Sequence, residues 1–219
     1  MGSFRLILLG LLVAVIQGCC YSRPSHQCSN ASKNTAALEG EINSDIDPYT
    51  EDSIVILEAL IAHIAELREQ GDIDGALSLS YSTENRFGSD PLLLCQRSSI
   101  LESLGRLDEA EVDGRKTIDL WPAGYVYMSR FYTRHGDNIK ANQMITRGLR
   151  DSRVLDDKQL QAQLHFLKAK HLVEKDDLNE ALAECQIAIG LVPAVKVTLL
   201  GELKKLRMTI SQRLEEKDE

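Results

Sequence analysis

The chain has 219 residues, of which 43% are hydrophobic and 26% charged, with a formal net charge of −8. That is the composition of a globular chain with room for one domain beside an N-terminal segment. The acidic balance, without any long single-sign run, argues against a nucleic-acid surface, which needs a clustered basic field to displace phosphate counterions.

At the N-terminus, Met1 to Arg5 carries one positive charge, Leu6 to Ile16 carries none, and Gln17-Gly18-Cys19 follows. This predicts a secretory signal peptide over residues 1–18, because the apolar stretch is well short of the roughly 20 residues that span a bilayer core. Residues 19–49 are rich in Ser, Asn, Pro and charge, lack an apolar period, and predict a flexible tether. Of the five cysteines, Cys19, Cys20 and Cys28 fall in this region and Cys95 and Cys185 in separate helical segments, so no disulfide framework is expected. A bridge between Cys20 and Cys28 stays open.

From Glu51 the pattern turns helical. Ile54, Leu57, Leu60, Ile61, Ile64 and Leu67 follow helical spacing up to Gly71, and residues 74–87 predict a partner helix. A second pair is expected over Pro91 to Pro122, broken at Gly105 and ended by Trp121-Pro122. A third spans Ala123 to about Arg153 and a fourth about Asp156 to Pro193. Beyond it Leu199, Leu203, Leu206, Ile210 and Leu214 mark one more amphipathic helix, residues 194–216.

The pairs repeat one turn motif. Gly71-Asp72-Ile73-Asp74-Gly75-Ala76 returns as Gly105-Arg106-Leu107-Asp108-Glu109-Ala110, then as Gly136 to Ala141 and Asp176 to Ala181, with the alanines 34, 31 and 40 residues apart. Asp176 stands where the others have glycine. Asn138 replaces an apolar residue, so a different third turn is expected.

On these residues the segment 51–193 resembles the tetratricopeptide-repeat family, whose period is about 34 residues. The resemblance implies an all-α, right-handed helix–turn–helix solenoid of about four repeats over residues 50–219, the last helix covering the final apolar face. It also implies a peptide-binding groove walled by the first helix of each pair. The wall positions would be Ile61, Ala65 and Arg68, then Cys95, Ser99 and Glu102, then Val126, Arg130 and Arg134, and finally Phe166, Lys170 and Val173. Arg130, Arg134 and Lys170 around Val126 and Phe166 suit an acidic or amphipathic peptide. Ile61 and Ala65 stand where the carboxylate-clamp members have lysine and asparagine, which disfavours binding of acidic C-terminal tails.

Ile16-Gln17-Gly18-Cys19 resembles the bacterial lipobox. That resemblance implies lipidation of Cys19 and a lipoprotein such as a palmitate-bearing one, held on a membrane by several acyl chains. Cys20 is not the aspartate that retains such proteins at the inner membrane, so an outer-membrane lipoprotein facing the periplasm is expected. The outer leaflet of the inner membrane and a soluble periplasmic form are the alternatives. Small lipoproteins of this build serve as pilotins or assembly factors for secretins, pili and outer-membrane barrels, which implies a non-catalytic protein-binding scaffold. An adaptor for an envelope enzyme such as a peptidoglycan hydrolase is the second reading, and a soluble exported binder the third. His26, His63, His135, His165 and His171 show no metal-pair spacing, and no HExxH, GxSxG or P-loop occurs. No enzyme activity, cofactor, metal, nucleic acid or small-molecule substrate is therefore expected.

Overall fold

The structure, a computed structural model, describes residues 50–192 and 197–218. The signal peptide, Cys19, the tether, the Cys20–Cys28 question and Pro193 lie outside the described residues.

The described chain is all-α, with no strand among these residues. Its helices are α1 (Glu51–Gln70), α2 (Ile73–Phe87), α3 (Pro91–Ser103), α4 (Leu107–Leu120), α5 (Gly124–Arg134), α6 (Asn138–Gly148), α7 (Ser152–Leu155), α8 (Lys158–Glu174), α9 (Leu178–Leu191) and α10 (Val197–Asp218). Oxygen-bearing side chains cap several of the N-termini, where the first amides have no helical partner, though not those of α4, α5 and α9. Thr50 accepts from Ser53 N, Asp72 from Gly75 N, and Asp137 from Lys140 N. Asp90 and Asp157 each accept from two amides, and Pro91 stands at the first helical position of α3, where its missing N–H costs nothing.

The four predicted turns share one backbone geometry. Gly71, Gly105, Gly136 and Asp176 all adopt left-handed φ, at 85°, 73°, 75° and 64°. In each, the next residue's amide reaches back five positions: Asp72 to Leu67 O, Arg106 to Leu101 O, Asp137 to Tyr132 O and Asp177 to Leu172 O, all at 2.9 Å. This is the helix-ending pattern that glycine favours, because a Cβ is crowded there. Asn138 therefore does not alter the third turn. The loop is set by the backbone bonds and by Gly136, while the side chain at 138 is exposed. Substituting Gly136→Ala should cost about 1–2 kcal/mol, the penalty of left-handed φ for a side chain, read as a lower denaturation midpoint.

Five residues after each left-handed residue, Ala76, Ala110, Ala141 and Ala181 are fully buried. There the two helices of a pair approach closely, and in the second pair Ser98 Oγ donates to Ala110 O at 2.7 Å. The pairs α1/α2, α3/α4, α5/α6 and α8/α9 pack in chain order, each against the next, and α10 packs on α9 and α8. Apolar burial is correspondingly serial. Ile61, Ile64, Leu93 and Ile100 join the first two pairs, while Leu101, Met128, Tyr132 and Met144 join the second and third. Val126, Ile145, Leu160 and Leu164 join the third and fourth, and Phe166, Cys185, Leu199, Leu203 and Ile210 join the fourth to α10. Burial of such area supplies most of the stability, at ~25 cal/mol per Å².

Ile54 is 47% exposed, because it lies on a side of α1 that no described helix covers. The described part of the terminal helix runs over Val197–Asp218, and residues 194–196 lie outside the described residues. The short α7, too brief to show a period, was not foreseen. Its N-cap Asp151 binds Arg153, whose guanidinium also donates to Ile118 O and Asp119 O at the carboxyl end of α4.

Candidate functional site

The wall positions occupy α1, α3, α5 and α8, but they differ in what they offer. Val126 is only 4% exposed and packs with Ile145, Val154 and Leu160, so it belongs to the joint between the third and fourth pairs instead of an open wall. Phe166 is buried in a different cluster, with Ala169 and Leu199. Lys170 is exposed and its ammonium lies 5.7 Å from the Phe166 ring centroid. Val126 and Phe166 thus do not form one apolar floor ringed by Arg130, Arg134 and Lys170.

The turn hydrogen bonds also fix the register. Gly71, Gly105, Gly136 and Asp176 donate to the carbonyls of Arg68, Glu102, Thr133 and Val173, so Thr133, not Arg134, is the counterpart of Arg68 and Glu102. Arg134 instead reaches back to the preceding pair. Its Nε and Nη2 donate to both oxygens of Glu102 at 2.9 and 2.8 Å, and His135 Nε2 lies 2.9 Å from the same carboxylate. Burial pushes the Glu102 carboxyl up, but the hydrogen bonds and charges of Arg134 and His135 outweigh it and hold it below the usual range. Two of the predicted groove residues are therefore partners of one another. Arg68 and Arg130 are half-buried on the same series of helices. Tyr127 of α5 donates to Cys95 O of α3 at 3.3 Å, and burial pushes its phenol up to about 12.

The strongest polar constellation is one the sequence did not announce. Arg97, 1% exposed at the centre of α3, donates through Nε and Nη2 to Asp113 of α4 at 2.6 and 3.0 Å, and through Nη1 to Glu84 of α2 at 2.5 Å. Its guanidinium also lies 4.6 Å from the Tyr81 ring centroid. Burial alone works against the charge, but the two carboxylates overcome it and keep Arg97 firmly protonated. The only signal in the sequence was an arginine flanked by Leu94 and Leu101 on a buried helix face.

Other titratable groups make contacts between helices. His165 Nδ1 and Lys168 Nζ meet the Glu184 carboxylate across α8 and α9, at 2.5 and 2.6 Å. His171 is buried against α5, with Nε2 3.0 Å from Thr133 Oγ1, and burial lowers its pKa. Cys185 is fully buried and donates to Leu203 O, and burial raises its thiol pKa, the opposite of an activated nucleophile. Among the described residues no three His, Cys, Asp or Glu side chains converge on a metal-sized site, and no helix is long and apolar enough to cross a membrane.

No protein-family model matches the chain, and comparison with curated proteins finds no match.

Proposed function

We propose that residues 50–219 form a tetratricopeptide-type solenoid that holds protein partners at a bacterial envelope membrane, tethered through a lipid on Cys19. One observation carries the solenoid: four turns of the same hydrogen-bond geometry, each followed by a buried alanine, with apolar burial among the described residues running from each pair to the next. A stack of that kind supplies a long surface and little chemistry, which supports an assembly factor or scaffold over an enzyme. The exposed Lys170 and the half-buried Arg130 are the cationic candidates for contact with an acidic or amphipathic segment.

Affinity capture from envelope extract tests the reading. A pore, pilus or barrel subunit should be retained, whereas retention of a hydrolase alone would favour the enzyme-adaptor reading. Arg130→Glu with Lys170→Glu should weaken capture about fivefold or less per residue, in a salt-sensitive way, since exposed charge contacts are each worth ~0–1 kcal/mol. Unchanged affinity at low ionic strength would remove this surface as the site. The mass of the mature N-terminal peptide should be that of Cys19 carrying acyl chains, and an unmodified N-terminus would remove the anchor.

A further inference from the structure

The outward face of α10 has a chemistry unlike the rest of this acidic chain. The inner side is occupied by Leu199, Leu203 and Ile210, which pack against Ala181, Cys185 and Ala188. At 100° per residue the opposite side carries Val197, Lys204 and Met208 along its centre, with Lys205 and Arg207 on its two flanks. Val197 is 74% and Met208 63% exposed, and all three basic residues are exposed. Among the described residues Lys204, Lys205 and Arg207 enter no ion pair, whereas Arg213 and Lys217 farther along are engaged by Asp176. Of the acidic residues of α10, Glu202 stands beyond Lys205, about 140° from the centre of this face, and Glu215, on the same angular stripe as Met208, stands with Glu216 about 10 Å or more farther along the axis.

We propose that this face docks on an anionic lipid surface, with Val197 and Met208 entering the headgroup boundary and Lys204, Lys205 and Arg207 engaging lipid phosphates. Apolar residues along the middle of a helix flanked by cations are the arrangement of an interfacial helix, whose aliphatic stems lie along the acyl boundary while the charges stay among the headgroups. The side of a single helix is convex, so it complements a plane better than it grips a peptide. The net charge of −8 repels the rest of the chain from such a surface, which leaves this patch to set the orientation. The inference does not depend on lipidation of Cys19, since the contact needs only an anionic surface. Each basic residue near that surface strengthens association about fivefold, so three give on the order of a hundredfold over a neutral one.

The test is amine-reactive labelling of the full chain with vesicles, resolved lysine by lysine by mass spectrometry. Lys204 and Lys205 should label several-fold more slowly on vesicles with roughly one-third anionic lipid than on neutral ones, Lys158 of α8 should not change, and high salt should abolish the difference. In the K204E/K205E/R207E variant the ratio of association with anionic over neutral vesicles should fall at least about tenfold while helicity is kept. Equal labelling on the two vesicle types would overturn the proposal. Protection that needs no vesicles and grows with protein concentration would assign the face to a second copy, and protection by a soluble acidic polypeptide alone would assign it to an acidic protein. Either result would also overturn it.

Discussion

Arg97→Met should lower stability by about 3–5 kcal/mol, because it leaves two carboxylates facing each other with their shared cation gone. Asp113 is buried and Glu84 largely so, and Lys116, 3.7 Å from Asp113 and itself half exposed, is too distant to replace the lost bidentate contact. Denaturant titration should show a lower midpoint with an unchanged slope. In the native chain burial pushes the Glu84 carboxyl up, but Arg97, with help from Ser89, more than reverses this and holds it below its ordinary value. A depressed carboxyl contributes stability that is present above the unfolded pKa, about 4.3, and lost as pH falls through the folded value. In the variant, the Glu84 carboxyl loses the cation that held it below its ordinary value, and burial favours its protonation. The deficit should therefore be largest near neutral pH and narrow as pH falls toward about 4. Adding Asp113→Leu and Glu84→Gln should recover most of the loss, since a buried ion triad is often replaced by apolar groups without net cost. A deficit that stays constant with pH would show that Arg97 acts through its packing volume and not its charge.

The second large effect is expected at Gly124→Ala, the first residue of α5. A Cβ there would stand 2.7 Å from Ile118 N and Thr117 Oγ1 and 2.8 Å from Ile118 Cα. Two of those atoms are helical backbone and cannot rotate away, so α4 and α5 must separate. The cost should reach about 3 kcal/mol, the upper end for overpacking. Gly190→Ala is the matched control. Its Cβ would meet nothing within 4 Å on α9, so it should stabilise by about 0.5–1 kcal/mol through helix propensity alone. If both alanine variants shift the midpoint equally, the close approach of α4 and α5 does not limit stability.

Much of the fold was legible because its punctuation is local. The left-handed residues, the aspartate caps and Pro91 each dictate a backbone event within a few positions, so the pairs and their turns fell where the sequence placed them. Asp176 could be matched to the glycines since aspartate tolerates left-handed φ better than most residues. Features that depend on which faces meet were not legible. Nothing in the sequence marks Gly114 and Gly124 as close-approach points, although a Cβ at the first would strike Met128 Sδ. Arg97, Asp113 and Glu84 converge from three helices, and nothing in their spacing ties them together. Among the wall residues, Arg134 was placed by the repeat register, whereas the interval of 31 to the previous turn puts Thr133 there. Val126 and Phe166 were read as exposed because both stand on a first helix, yet each is buried at the joint with a neighbouring pair.

Arg153 has a consequence for how the molecule opens. In a purely serial stack each unit feels only its immediate neighbours, and hydrogen exchange then proceeds by fraying inward from either end. The guanidinium of Arg153, anchored by Asp151 next to the third pair, reaches the last carbonyls of α4 in the second. It straps the two middle pairs at a point outside their direct helix contacts, so amides of α4 and α6 should lose protection together, as one cooperative block. The first pair and α10, lying outside that strap, should exchange earlier and independently of each other.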